Sequence, residues 1–177
     1  MSTSGLKLRP GFTAQIVTGG VRQFCARGDQ PLVFLGLMDC VRALPGPLGI
    51  VIVDLGESPR EWVGNGLSRV QILEGLLALR DLLGQGAMDV AVFSSEEGVE
   101  LFLDRSGTLE IRTGGWWEPR ARSLLEGRGF RWVSSLAPTW STAPVPLTPE
   151  ARERINAVCA FLDMRATIAS YGEGGGS

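Results

Sequence analysis

The chain of 177 residues contains no histidine, is 44 % hydrophobic and carries a formal net charge of −2. Ser-His-Asp catalysis, Cys-His catalysis and histidine-containing zinc sites are excluded, because each needs an imidazole. The scattered charges disfavour binding to nucleic acid or an anionic membrane, and no apolar run reaches the roughly 18 residues of a membrane span. Met1–Pro10 lacks the pattern of a secretory signal, so we expect a cytoplasmic protein.

The first third of the chain predicts two strands and a helix. The strands cover Phe12–Val17 and Val21–Ala26, with a turn at Gly19-Gly20 between them. Helical spacing of apolar residues follows from Pro31 to Leu44, and Pro45-Gly46-Pro47 then ends the helix.

A strand, a loop and a helix are predicted next. Ile50–Val53 is a continuous β-branched run, which indicates a strand buried on both faces in the middle of a sheet. The segment Gly56–Gly66 is rich in glycine, proline and charge and is interpreted as a loop. Ser68 and Gln71 have the spacing of a capping box, so a leucine-rich helix should run from Ser68 to Leu83.

A β-hairpin has the clearest pattern in the chain. After a short strand at Val90–Phe93, apolar residues alternate with other residues over Val99–Leu103 and again from Leu109, with the turn Asp104–Gly107 between them. A helix over Glu96–Arg105 is the alternative, which Gly98 disfavours.

The last part of the chain predicts a short helix at Pro119–Leu125, a strand at Phe130–Ser134 and a closing helix. Thr148-Pro149 supplies an N-cap followed by proline in the first turn of that helix. Residues 172–177 are interpreted as a flexible tail.

These elements predict a mixed α/β (α+β) fold, with a single mixed sheet packed by three to four helices and an antiparallel hairpin region in its C-terminal part. Residues 1–171 form one domain in this interpretation, and residues 1–60 are either part of it or a βαβ extension.

Carboxylates and thiols are the candidates for chemistry. Asp54 ends the strongest strand, and Glu57 and Glu61 follow closely, so a magnesium site used by an enzyme or a small-ligand-binding domain is one hypothesis. The three cysteines form no close pair and have no imidazole to activate them. We therefore expect no catalytic residue, no cofactor and no metal, and the carboxylate site stays as the alternative.

Tryptophan indicates a contact surface instead. Trp116 and Trp117 are adjacent, so one of them should be partly exposed, and Trp140 and the outward-facing Phe102 belong to the same candidate surface. Tryptophan is enriched in binding hot spots. The second interpretation is that both tryptophans cover edges of the core.

The order helix, three strands, helix, strand, helix over residues 67–168 resembles type III secretion chaperones and YbjN-type bacterial proteins. The residues that carry the resemblance include Val99–Leu103 with its hairpin return and Leu124-Leu125 followed by Gly129-Phe130. It implies a non-enzymatic, usually dimeric bacterial protein that binds a partner polypeptide.

Residues 12–107 are also similar to STAS domains. Val53-Asp54-Leu55 and then Val63–Leu67 before a leucine-rich helix carry this similarity, but Gly64-Asn65 stand where that family has a phosphorylatable serine pair. Both resemblances imply protein binding. The sequence therefore predicts an adaptor, chaperone, immunity or assembly protein that binds another protein, with homodimer formation left open.

Overall fold

A nine-stranded sheet organises the molecule in the computed structural model, which describes residues 9–54, 59–136 and 147–168. In chain order the strands are β1 Gly11–Ile16, β2 Arg22–Arg27, β3 Leu48–Asp54, β4 Arg60–Leu67, β5 Met88–Ser94, β6 Val99–Leu103, β7 Leu109–Thr113, β8 Arg131–Trp132 and β9 Arg165–Ile168. Their order across the sheet is β8-β1-β2-β7-β6-β5-β3-β4-β9. Neighbours are antiparallel except β8, which is parallel to β1. The first three strands therefore share the sheet with the rest.

The α-helices of the described ranges are α1 Gln30–Ala43, α2 Arg69–Ala78, α3 Arg80–Gly84, α4 Glu118–Gly127 and α5 Pro149–Phe161. The predicted mixed α/β fold with one sheet is confirmed. The two helix starts that were predicted from N-cap residues are also present. Ser68 and Gln71 form a complete capping box, and the Thr148 side chain accepts a hydrogen bond from the Ala151 N–H. The predicted helix Ser68–Leu83 is divided at Leu79, where the backbone turns to φ −99° and ψ 2°.

The core lies between the helices and one face of the sheet, called here the covered face. Every second residue of the central strands is fully buried there, as period-two alternation requires. Members with no measurable exposure are Ile50, Ile52, Val90, Val92, Leu101 and Ile111. Helix α1 approaches the sheet closely, because a Cβ at Gly36 would lie 3.5 Å from Leu109 Cδ2.

Two predictions about the middle of the chain are wrong. The segment interpreted as a loop contains β4, which pairs with β3 on one side and β9 on the other. The strand Ile50–Val53 is internal to the sheet as predicted, but Val51 and Val53 are only half-buried, so it is not enclosed on both faces. The predicted tail 172–177 lies outside the described residues.

Candidate functional site

The second face of the sheet, called here the open face, carries the alternate residues of the same strands. One row of paired positions crosses seven strands from β4 to β1. It consists of Val63, Val51, Ala91, Phe102, Glu110, Cys25 and Thr13. All seven side chains are half-buried, whereas their neighbours along the central strands are buried under the helices. The open face therefore borders solvent across the width of the sheet.

One half of the open face is apolar over the four strands β4, β3, β5 and β6. This apolar strip is defined by Val51, Val53, Val63, Ala91, Phe93 and Phe102. Strand spacing makes it roughly 15 Å wide and about as long, which is about 200–300 Å² of sheet surface. The largest apolar patch on a typical monomer covers about 300–600 Å² and is often functional, and the apolar strip approaches this size.

The far end of the Phe93 ring lies over β3 because its partner on that strand has no side chain. Gly49 pairs with Phe93, and a Cβ at Gly49 would lie 2.1 Å from Phe93 Cζ and 2.4 Å from Cε2. A side chain at position 49 would therefore require the Phe93 ring to move. The ring thus occupies the space above Gly49 and continues the apolar strip onto β3.

The other half of the open face is polar and satisfies its own hydrogen bonds. Gln15 Nε2 donates to Gln23 Oε1 at 2.9 Å, and Gln23 Nε2 donates to Glu110 Oε2 at 2.9 Å. Arg112 donates to the same oxygen at 3.2 Å and lies 3.5 Å from Glu100 Oε2. This ladder crosses four strands. These polar side chains are hydrogen-bonded to one another and need no further partner, whereas the apolar strip leaves apolar side chains facing water.

Two carboxylates lie at one end of the apolar strip. Glu61 on β4 and Asp89 on β5 both pair with Val53, one on each side. Burial raises the pKa of Asp89, while the Arg105 N–H that donates to its Oδ1 at 2.7 Å opposes the rise. Neither carboxylate forms a salt bridge with another residue in the described part of the chain. The charge of Arg105 also acts on Asp89, so Glu61 is the carboxylate at this end that most favours a further cation.

The structure separates the four residues of the predicted tryptophan surface. Trp116 is 59 % exposed, which agrees with the expectation that one of the adjacent pair reaches solvent. Trp117 is 2 % exposed and belongs to the core at the N-cap of α4, so its side chain presents little surface to a partner. Phe102 lies in the apolar strip, and Trp140 lies outside the described residues.

The carboxylate hypothesis finds its residues on opposite sides of the sheet. Asp54 is 2 % exposed on the covered face, where its Oδ1 accepts the Arg60 N–H at 3.4 Å. Glu61 pairs with Val53 and thus lies on the open face. Glu57 falls outside the described residues. Within those residues no group of three potential metal ligands converges.

The thiols are poor nucleophiles in this fold. Burial raises the pKa of Cys40 and of Cys159 to about 12. The pKa of Cys25, on the open face, is raised by burial and by Glu110 beside it. All three are free thiols. Thiolate is therefore scarce at neutral pH, and thiol chemistry does not fit these positions.

Sequence reasoning missed the apolar strip itself. Its signal is present in the unbroken run Ile50–Val53, which exceeds what one buried face of an antiparallel strand needs. The additional apolar residues of this run can be recognised as part of a surface only when the order of the strands is known. Phe93 and Val63 join it through their pairing with β3.

Comparisons with family models, with curated proteins and with solved structures find no match to this chain. Among the described helices, none has the length and apolar character needed to cross a membrane.

Proposed function

We propose that this chain is a cytoplasmic protein that binds another protein by covering the apolar strip, as an adaptor, chaperone, immunity or assembly component would. The observation that carries the proposal is the contrast within the open face. Its polar half is self-satisfied, while six apolar side chains over β4, β3, β5 and β6 remain half-buried. Covering them removes apolar surface from water, which is the main driving force of association.

The dimensions of the apolar strip favour a polypeptide segment as the occupant. A helix about 10 Å across fits over roughly 15 Å of strip, and the strip alone is smaller than the about 800 Å² that each partner buries in a standard interface. It thus suits the apolar centre of an interface, with the hydrogen-bonded ladder and the two carboxylates as the polar rim.

Charge adds a second requirement for the partner. Glu61 and Asp89 flank Val53 at one end of the strip, and both are acidic groups without a described salt-bridge partner. A lysine or arginine at the matching end of the bound segment would pair with them. We therefore propose an amphipathic segment with a basic residue at one end.

Three unpaired thiols support the proposed location. Two of them, Cys40 and Cys159, are fully buried and lie in different helices, as expected of a protein that folds where disulfides are kept reduced. The resemblances to type III secretion chaperones, YbjN-type proteins and STAS domains imply the same functional class, partner binding without catalysis.

Affinity capture from the native host with three forms of the protein tests this proposal. The wild type is compared with Ala91→Arg, in the middle of the apolar strip, and with Thr13→Arg, in the same row of the open face but in its polar half. An arginine can extend to solvent from both positions, so the two variants differ in the surface they block. The captured protein is then purified and titrated calorimetrically.

We expect Ala91→Arg to weaken the measured affinity at least tenfold and Thr13→Arg to change it less than twofold. Glu61→Gln should weaken it less, and the loss should diminish at high salt. Equal effects of the two arginine variants would refute binding at the strip. If only Trp116→Ala abolishes capture of the partner, the binding site includes that tryptophan instead of the strip. If light scattering shows a dimer that Ala91→Arg abolishes, the partner is a second copy of this chain.

A further inference from the structure

A cleft of about 390 Å³ lies at the edge of the helical layer, away from the open face. Its walls come from three elements: the first turn of α1, the short helix α3, and the turn between β6 and β7. The volume falls in the lower part of the roughly 300–1,000 Å³ range of small-molecule sites. It is independent of the surface assigned to a protein partner.

The floor of the cleft is apolar and almost inaccessible. Its side chains are Val33, Phe34, Leu83 and Leu103, none more than 6 % exposed. They belong to α1, α3 and β6, so the floor is fixed by packing in the core. A planar apolar group can therefore rest on a preformed surface.

Two glycines and a glutamine shape the mouth. A Cβ at Gly84 would lie 3.5 Å from Gln30 Oε1, and a Cβ at Gly107 would lie 3.8 Å from Gln30 Cγ. The Gln30 side chain thus lies between the two glycines, with its amide at the rim of the cleft. Gly107 has φ +76°, a conformation that favours glycine at this turn.

Arg80 places a positive charge beside the apolar floor. Its Cζ lies 5.9 Å from the centre of the Phe34 ring, in a cation–π arrangement. No carboxylate of the described residues lies within salt-bridge distance of it, and the adjacent Asp81 faces Arg154 Nη2 at 3.7 Å. The guanidinium keeps its fork of donors available to an anion.

We propose that this cleft binds a small aromatic carboxylate. The ring lies on the floor formed by Val33, Leu83 and Leu103, and the carboxylate pairs with Arg80 at the mouth, where Gln30 can donate a hydrogen bond. The Arg80 guanidinium favours an anionic group, the Asp81 carboxylate that also lines the cleft pairs with Arg154, and the apolar floor favours a ring over a bare anion such as acetate.

Titration of the ¹⁵N-labelled full chain with 2-naphthoate, 2-naphthamide and acetate tests the proposal by NMR. We expect 2-naphthoate to produce saturable shifts at the amides of Gln30, Gly84, Gln85 and Gly107, with at least tenfold weaker binding of 2-naphthamide and no saturation by acetate. Arg80→Met keeps the apolar stem and should reduce the affinity for 2-naphthoate at least tenfold while leaving that for 2-naphthamide unchanged. Arg120→Met, which removes an exposed arginine of α4 outside the cleft lining, serves as the matched control.

Three results would overturn the proposal: shifts confined to other amides, equal affinity for the acid and its amide, or an Arg80→Met variant that binds 2-naphthoate like the wild type. Because Arg80 is exposed, this substitution leaves the fold intact, and the dispersion of the NMR spectrum verifies it. Partner capture by the same variant keeps the two proposals separate, since Arg80→Met should not alter binding at the apolar strip.

Discussion

The two faces of the sheet are built from the same strands, but helices cover only one of them. On the covered face, apolar residues from β2 to β3 meet the helices and become fully buried, as Phe24, Leu101 and Ile50 do. On the open face the pairing ladder passes from apolar residues such as Val51 to hydrogen-bonded polar ones such as Gln23. On the covered face, the apolar side chains are fully buried within the folded chain. On the open face, only the polar half is satisfied, by its own hydrogen bonds.

This difference separates two reasons for an apolar residue in a strand. A buried residue stabilises the fold, and its truncation lowers the free energy of unfolding by leaving a cavity. A half-buried residue on the open face contributes less to folding and retains apolar area that a partner can remove from water. Stability measurements on matched residues can therefore assign each side chain to one role or the other.

The two adjacent tryptophans give the largest expected contrast. Trp117→Ala should lower the free energy of unfolding by about 3–5 kcal/mol, because a large side chain with 2 % exposure leaves a cavity in the core. Trp116→Ala should change it by less than about 0.5 kcal/mol, because that ring is 59 % exposed. Urea denaturation of both variants measures the difference. Similar losses for the two would show that exposure does not separate core from surface at this corner.

The sequence predicts the elements whose signals are local. Val99–Leu103 and the return strand from Leu109 were identifiable because one face is buried and the other is not, which enforces period-two alternation. The start of α2 was identifiable because the capping box at Ser68 is a contact between residues three apart. Neither inference needs knowledge of the rest of the fold.

Strand β4 shows what a local signal cannot supply. Gly64 and Gly66 suggest a loop, yet a Cβ at Gly64 would lie 3.0 Å from Met164 Cγ and 3.1 Å from Leu67 Cδ1. Packing against these side chains, one of them a hundred positions later in the chain, favours glycine there. Propensity favours a loop at such a position, and only the tertiary structure explains the strand.

The candidate site was predictable only in part for the same reason. Adjacent tryptophans indicate that one is exposed, but the sequence does not say which, because that depends on where α4 meets the sheet. Phe102 was correctly placed on the outward side of the hairpin. Its neighbours in the apolar strip, Ala91 and Val51, come from other strands, and their proximity depends on the strand order.

An intermediate effect is expected at Gly49, where the open face is most tightly packed. Gly49→Ala places a methyl group 2.1 Å from Phe93 Cζ, so the ring must leave its position, at a cost of about 1–3 kcal/mol in the free energy of unfolding. In the double variant Gly49→Ala/Phe93→Ala the clash is absent, and the added cost of the alanine at 49 should largely disappear. A double-mutant cycle measures this coupling.

Gly115→Ala is the matched control for that cycle, because no atom lies within 4 Å of a Cβ at this position. It should leave stability nearly unchanged. If the cost of Gly49→Ala persists in the absence of Phe93, the ring does not lie across β3, and the apolar strip loses one of its two aromatic residues.

The smallest effect is expected from pH, at the acidic end of the apolar strip. Burial raises the pKa of Asp89 above its unfolded value, so the unfolded chain releases this proton at lower pH than the folded chain does. Between the two pKa values the folded state binds more protons, and the contribution of Asp89 to stability therefore falls as pH rises through that window. Asp89→Asn should remove this dependence while its amide oxygen still accepts the Arg105 N–H.

Urea denaturation from pH 3 to pH 7 measures the effect, with Glu96→Gln at an exposed position as the control for the loss of one negative charge. The Asp89→Asn variant should gain stability relative to wild type as pH rises, and the Glu96→Gln variant should not. A bound partner that supplies a cation should reverse the sign, because its charge favours the ionised carboxylate, so wild-type binding should strengthen as pH rises through the same window. If the free energies of unfolding of wild type and Asp89→Asn change in parallel with pH, Asp89 is well solvated in the folded chain. The proposal that this end of the strip selects a basic partner residue would then lose the support of Asp89.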